Sequence, residues 1–343
     1  KKIFDKTIDT GIKHGTVTVL MNKKNFEVTT YRIDGEYTDH RRPNNVLYTN
    51  NLIQDLSRRD FSINAIAYNK KNGFIDPFGG LVDIKNKIIK CVGDANKRFN
   101  EDALRMLRAL RFSNQLDFII EKKTYDAIKK NRELIKYISI ERIRDELIKL
   151  FSSKRLNNLK LLADSEILKY ISLDFHKHLC DNIANIKNIL EQSNKNICVL
   201  FSTLLYKFKE PYKFMRFLRF DNKTCETIKI ISKNINLKFE NDSYLIKKII
   251  SRVERDRFDK LLDVQENIGL IEDSHDIKIL ANRLMSDCIF LKDLAINGHD
   301  LYNLGFKDKQ IGIILNYLLD VVHKCPEKNN RDKLILLARS FNL

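Results

Sequence analysis

The sequence predicts an α+β chain in which a short strand-bearing segment at the amino end is followed by an elongated, all-helical remainder. Three observations carry this. Residues 1 to about 92 hold brief β-branched and aromatic runs separated by turn residues. From Asn100 onward Leu, Ile, Lys, Glu and Asn recur at helical spacing. Only 4 Pro and 11 Gly interrupt 343 residues, a length that calls for two or more separately cored domains.

In the first part, Gly15 to Leu20 and Phe26 to Tyr31 read as the strands of a hairpin around an Asn22-Lys23-Lys24-Asn25 turn. The period of two puts Glu27, Thr29 and Tyr31 on one face and Phe26, Val28 and Thr30 on the other, so a carboxylate stands among polar neighbours. Asp34 to Asn51 has breakers at Asp34-Gly35 and Arg41-Arg42-Pro43 and no apolar periodicity, and reads as a mobile loop. Leu56 to Ala67 begins a short helix, and Phe74 to Gly80 is a strand ending in a turn. A helix over 100–115 carries the apolar stripe Ala103, Leu104, Leu107, Leu110 and Phe112. Further helices are predicted over about 121–151, 154–172, 180–207, 211–220, 223–234, 242–252, 255–263, 276–295, 308–324 and 330–340. No repeat of fixed period and no low-complexity linker interrupts them.

A net charge of +17, from 62 Lys plus Arg against 45 Asp plus Glu, favours a polyanionic partner, nucleic acid first. The plain alternative is compositional bias, with scattered lysines solvating helix faces. The six cysteines, at 91, 180, 198, 225, 288 and 325, form no C-x-x-C pair, which argues against a zinc site and against a secreted disulfide framework and leaves reduced, structural thiols. No apolar run approaches a membrane span and no signal-peptide pattern opens the chain, so the expected location is the cytoplasm, with no membrane partner.

Glu101-Asp102-Ala103-Leu104-Arg105 places a carboxylate three and four residues before a guanidinium, so an acceptor and a donor fork stand side by side on a helix. Cytosine and adenine share an exocyclic amine beside an unprotonated ring nitrogen, whereas guanine and uracil present a carbonyl beside a ring N–H. A carboxylate facing the amine and a guanidinium facing the ring nitrogen accept the first two and oppose like groups in the others. The bland reading is a solvated surface ion pair at a helix start. Against it, Arg108 and Arg111 extend the row until guanidiniums outnumber carboxylates, a pattern suited to a triphosphate. Arg58-Arg59-Asp60, read as preceding a helix that also presents Asn64, supplies two more phosphate-binding forks. Asp60 is placed to accept from a ribose hydroxyl or to lock an arginine. Exposed arginines beside a helix-capping Asp are the alternative there.

The runs Arg58-Arg59-Asp60-Phe61-Ser62-Ile63-Asn64-Ala65, then Asp76-Pro77-Phe78-Gly79-Gly80, then Glu101-Asp102-Ala103-Leu104-Arg105-Met106-Leu107-Arg108-Ala109-Leu110-Arg111-Phe112 stand in an order and spacing that resemble the class II tRNA nucleotidyltransferases, bacterial CCA-adding and poly(A) polymerase types together. Lys13-His14-Gly15-Thr16 upstream, Ser139-Ile140-Glu141-Arg142-Ile143 downstream, and the tail from Ile296-Asn297-Gly298-His299-Asp300-Leu301 through Gly312 and Asn316 extend the likeness; Ser62 stands where threonine is commoner. The resemblance implies an incomplete polymerase-β-like nucleotidyltransferase head over 1–92, a neck of nucleotide-selecting helices over 93–155, a helical body over 156–235 and a tRNA-binding tail over 236–343. It implies Mg²⁺-dependent, template-independent addition of C, C and A from CTP and ATP, with the tRNA 3′ end and acceptor arm as partners. Residue by residue, Arg59 looks like a triphosphate ligand, Asp102 and Arg105 the base-reading pair, Arg108 and Arg111 further nucleotide contacts, and Glu27 the supporting acid of the catalytic metal site.

The family's Gly-Gly-x-x-Arg-Asp turn and Asp-x-Asp strand, which carry its main Mg²⁺ ligands, do not appear before Lys1-Lys2-Ile3-Phe4. The expectation is therefore a fragment that recognises nucleotide but is inactive as given. Poly(A) polymerase, C-only or A-only addition, and a non-catalytic tRNA-binding remnant stand as alternatives. A phosphohydrolase at His299-Asp300 is disfavoured, because His176-x-His178 does not supply the separated ligands that chemistry needs.

Overall fold

Asn22 and Lys23 both take positive φ, 50° and 61°, and so form the tight primed turn that joins two antiparallel strands without splaying them. The computed structural model describes residues 3–4, 6–12, 15–35 and 45–341. Strands β1 (Thr7–Gly11), β2 (Thr16–Met21) and β3 (Lys24–Thr29) make one antiparallel sheet in that order. The hairpin turn is thus two residues, not four, since Lys24 and Asn25 already pair with Met21 and Leu20. β1 escaped the sequence reading because Thr-Ile-Asp-Thr-Gly has too few apolar residues to announce a strand. Both faces of β3 are exposed, and Glu27 stands opposite Thr18.

β4 (Arg32–Asp34) and β5 (Val46–Tyr48) pair antiparallel, so the described ends of the expected loop are strand. Its middle, 36–44, and Lys13 and His14 of the upstream motif lie outside the described residues.

Asn51 caps the helix α1 (Leu52–Ser57), its Oδ1 accepting from Ile53 N–H at 2.9 Å and Gln54 N–H at 3.3 Å. The helix therefore precedes Arg58-Arg59 instead of following it, a correction to the start expected at Leu56. Beyond Arg58 the Asp60 carboxylate takes the Phe61 N–H, and Phe61 bridges to Cys91 as extended backbone before a single 3₁₀ turn, Ser62–Asn64. β6 (Ala67–Asn69) and β7 (Gly73–Ile75) form a small hairpin. Asp76 then caps α2 (Gly80–Lys85), accepting from Gly80 N–H at 2.7 Å and Leu81 N–H at 2.8 Å. The paired glycines are needed here: Gly79 has φ +72°, and a Cβ on Gly80 would sit 2.2 Å from the Ser62 carbonyl oxygen.

β8 (Ile88–Ile89) pairs in parallel with β9 (Ile119–Ile120), and between them lie α3 (Ala95–Glu101) and α4 (Leu104–Leu116). The single helix expected over 100–115 is broken at Asp102, whose φ of −142° and ψ of 103° are extended. The break arises because the Asp102 carboxylate accepts the Leu104 N–H at 3.1 Å, a cap-like bond that competes with the helical ladder. Ala103, Leu104, Leu107 and Leu110 are buried as expected, whereas Phe112 is half-exposed.

The following helices are α5 (Lys122–Asn131), α6 (Ile140–Phe151), α7 (Leu159–Asp164) and α8 (Leu173–Gln192), with 3₁₀ turns at 132–137 and 167–170 interrupting the longer spans expected there. α6 packs along α4, and α5 along α3. The chain divides into two compact units, 1–191 with 217–219, and 192–216 with 220–343. Most of the second is α9 (Ile197–Leu204), α10 (Pro211–Phe217), α11 (Asn222–Asn234), α12 (Ser243–Val253), α13 (Arg255–Asn267), α14 (His275–Arg283), α15 (Gly298–Asn303), α16 (Asp308–Lys324) and α17 (Arg331–Arg339). Ile246, Ile250, Phe258 and Leu262 centre one of its cores, and Leu301, Ile314, Leu318 and Leu334 another. No helix among the described residues is long and apolar enough to cross a membrane.

Candidate functional site

Two interruptions of regular helix, the exit from α1 at Arg58 and the break before α4, are tied together by guanidiniums. Arg105 Nη2 donates to the Arg58 carbonyl at 3.0 Å, and Arg98 Nη1 to the Ser57 carbonyl at 3.2 Å. Between them lies a cavity of about 450 Å³. Its walls carry five guanidiniums, from Arg58, Arg59, Arg105, Arg108 and Arg142, against the two carboxylates of Asp60 and Asp102, with Asn64, Leu104 and Phe112 completing the lining. Such an excess of forked cations is a site for an anion.

The guanidiniums are not equally available. Arg58 is held by Asp55, its Nη2 2.7 Å and its Nε 3.1 Å from Asp55 Oδ1. Arg59 is 45 % exposed and has looser partners, Asp55 Oδ2 at 3.3 Å and the Asn64 carbonyl at 3.4 Å, so it is the arginine freest to meet a ligand. Asp60 locks Arg108, accepting from Nε at 2.8 Å and lying 2.7 Å from Nη2, and takes the Asn64 amide at 3.0 Å on its other oxygen. Its carboxylate thus anchors Arg108 and Asn64.

Arg105 is 8 % exposed yet reaches the cavity with donors to spare. Of its five N–H groups, three are directed to Glu101 Oε2 at 2.9 Å, the Arg98 carbonyl at 3.3 Å and the Arg58 carbonyl at 3.0 Å. Nε–H and one Nη2–H remain. Asp102 is not the helical partner of Arg105 that the spacing suggested. At the break it turns to Arg142 of α6, Oδ2 accepting from Nη2 at 2.8 Å and Oδ1 from Nη1 at 3.3 Å. With the Leu104 N–H also on Oδ1, one acceptor position on Oδ2 is left.

Arg111 does not line the cavity. Its Nε lies 2.7 Å from Glu146 Oε2, with both side chains under a tenth exposed, and its guanidinium stacks 4.0 Å from the centre of the Phe112 ring. Burial pushes its pKa down while the Glu146 charge opposes that. Glu27 stands on exposed β3, and among the described residues no group of three His, Cys, Asp or Glu side chains comes together to hold a metal ion.

Sequence reasoning overlooked Asp55, Arg142, Phe112 and Leu104 as members of the site. Asp55 was findable, since it precedes Arg58 and Arg59 by three and four residues on a helix. Arg142 lies in the Ser139-to-Ile143 run, but nothing local links it to Asp102, forty positions earlier. Behind the site, burial pushes the Cys91 thiol up to about 12, consistent with a structural cysteine.

Burial raises the Asp55 carboxyl, but the Arg58 and Arg32 hydrogen bonds and the Arg58 and Arg59 charges outweigh it and hold the group below the usual carboxylate range. A carboxyl depressed on folding contributes stability that is full above its unfolded value of about 3.9 and lost as pH falls through the folded one. Asp55→Asn should therefore cost about 2 kcal/mol at pH 7 in urea denaturation, and the gap to the parent should narrow below about pH 4. A gap that stays constant between neutral and acid pH would show that the ionised form is not what matters.

Residues 1–90 match the family described as Poly A polymerase head domain, and residues 117–179 that described as Probable RNA and SrmB-binding site of polymerase A. The chain is 48 % identical over 195 residues to a CCA-adding enzyme of Ligilactobacillus salivarius, an alignment covering 57 % of this chain and 47 % of that protein. To a CCA-adding enzyme of Lactobacillus helveticus it is 55 % identical over 150 residues, 44 % of this chain and 38 % of the relative. The chain thus spans about half the length, or less, of these curated relatives. Among solved structures, the Bacillus stearothermophilus CCA-adding enzyme in complex with CTP superposes with a TM-score of 0.82 at 29 % identity, covering 98 % of this chain and 85 % of that one. The Thermotoga maritima CCA-adding enzyme complexed with tRNA shares the fold at a TM-score of 0.58 and 20 % identity, covering 99 % and 82 %. With the strand-bearing head, the helices that follow and the arginine-lined cavity in place, the chain is similar in sequence over its first half, and in fold over nearly its whole length, to CCA-adding enzymes.

Proposed function

We propose that this chain selects CTP and ATP for template-independent addition of C, C and A to the 3′ end of tRNA. The observation that carries the reading is that Asp102, with one open acceptor, and Arg105, with two open donors, line the same guanidinium-rich cavity. The acceptor takes the exocyclic amine of cytosine or adenine, and an Arg105 N–H meets the ring nitrogen beside it. Uracil and guanine set a carbonyl against the carboxylate and a ring N–H against the guanidinium, and each such opposition costs about 1–3 kcal/mol. Glu101 fixes Arg105 and Arg142 fixes Asp102, so the pair is oriented before a base arrives. Arg59 is the principal triphosphate ligand, with Arg58 and Arg108 adding positive field from their anchored positions.

In this reading residues 1–92 are the head, 93–155 the nucleotide-selecting neck, 156–235 the body and 236–343 the tRNA-binding tail. Glu27 is the candidate supporting acid for Mg²⁺. The free cysteines accord with a reducing, cytoplasmic setting. The net charge of +17 suits a tRNA partner.

The test is equilibrium binding of the four nucleoside triphosphates, paired with incorporation of each labelled nucleotide into tRNA lacking its terminal CCA. CTP and ATP should bind at least about tenfold tighter than UTP and GTP. Equal affinity for all four, or incorporation of G or U as readily as C, overturns the proposal.

A further inference from the structure

The second unit contains a cavity that shares no residue with the arginine site, and we propose that it holds one unpaired nucleotide of an RNA chain. It lies between the turn joining α9 to α10 and the face of α11, with a volume of about 640 Å³, ample for a nucleotide. Its wall offers Tyr206, Phe208 and Tyr212, all partly buried, as surfaces on which a base can stack. Five lysines line it against one glutamate, Glu210. Two of the five are ion-paired, Lys213 at 2.5 Å from Glu210 and Lys229 at 3.0 Å from Glu226 with its ammonium 4.8 Å from the Tyr212 ring centre, and Lys207 holds its ammonium 5.3 Å from the Tyr206 ring centre. Lys207, Lys209 and Lys233 have no carboxylate at ion-pair distance among the described residues, and all three are exposed.

The second, independent observation is Ser202. It lines the same cavity, is 2 % exposed, and its Oγ meets no hydrogen-bonding partner. A buried hydroxyl left without a partner is costly, and a ligand bearing a polar atom satisfies it. Aromatic faces, uncompensated lysines and a waiting hydroxyl in one apolar-walled recess are together the chemistry that takes a base and its phosphate. A purely apolar ligand leaves the lysines and Ser202 unused, and a bare anion leaves the aromatic wall unused. That the nucleotide comes from RNA rests on the proposed action on tRNA; the match of the pocket to a base with its phosphate does not.

The experiment uses the whole chain and a tRNA transcript carrying 4-thiouridine, with photocrosslinks mapped by mass spectrometry. Crosslinks are expected within residues 202–213 and should weaken when Tyr206 is changed to Leu. The variant Lys209→Glu/Lys233→Glu alters exposed side chains and keeps the fold. It should bind tRNA at least about tenfold more weakly, with a shallower dependence on salt, while its CTP affinity stays unchanged. Millimolar AMP should compete with the crosslink. Crosslinks confined to other segments, or unchanged tRNA affinity in the double lysine variant, overturn the proposal. AMP binding in the recess without any tRNA crosslink there overturns RNA as the source. Crosslinking at 202–213 in a chain that fails to prefer CTP and ATP sinks the nucleotide-selection reading alone.

Discussion

Asp102→Asn is expected to abolish most of the preference for CTP over UTP while leaving most of the affinity for the triphosphate. The native carboxylate offers acceptors only, and its one remaining position points the site toward an amine. An amide at 102 offers an NH₂ group as well, which can donate to the carbonyl of uracil or guanine, so the mismatch that excluded them disappears. The ratio of CTP to UTP affinity should fall about 10- to 100-fold. Arg59→Ala should do the reverse, weakening all four nucleotides alike, because a phosphate ligand does not see the base. Arg142→Lys keeps a positive charge but loses the fork that grips both Asp102 oxygens, and should lower selectivity without the uniform loss. Competition binding with all four nucleotides separates these outcomes. An unchanged CTP:UTP ratio in Asp102→Asn would move base selection elsewhere.

The fold class was legible because strand-forming and helix-forming residues are segregated along the chain, and the arginine cluster because charged motifs survive in local spacing. What stayed hidden was set by competition between side chain and backbone. Nothing in a helical periodicity announces that the Asp102 carboxylate captures the Leu104 N–H and breaks the helix. Yet that break frees Asp102 from the face of Arg105 and lets it meet Arg142. The helix expected from Leu56 onward instead starts at Leu52, where Asn51 caps it, so Arg58-Arg59-Asp60 follows the helix. Asp60 serves Arg108. Long-range pairs such as Asp102 with Arg142 and Asp60 with Arg108 depend on how α4 meets α6 and the segment after α1, and a one-dimensional reading has no access to that.

Glu146→Ala should be among the most destabilising single changes in the first unit. Glu146 is 4 % and Arg111 is 7 % exposed, and Arg111 Nε sits 2.7 Å from the carboxylate. Arg108 Nη1 at 4.0 Å and Lys149 Nζ at 3.4 Å lean on the same group. Removing the carboxylate strands a buried guanidinium whose pKa burial already depresses, at a cost of about 3–5 kcal/mol. Replacing both partners, Arg111→Met with Glu146→Leu, removes the stranded charge and should return most of that stability, because a buried ion pair is close to neutral against an apolar pair of similar size. Urea denaturation followed by circular dichroism measures this directly, the chain having no tryptophan. The same double variant asks what Arg111 is for. The family resemblance makes it a nucleotide contact, whereas its position stacks it on Phe112, which does line the cavity. If Arg111 acts only by bracing that ring, CTP affinity in the restored double variant should stay within about threefold of the parent. A larger loss at restored stability would mean that Arg111 leaves Glu146 to meet the triphosphate. A Glu146→Ala variant as stable as the parent would mean that the pair contributes nothing to the fold.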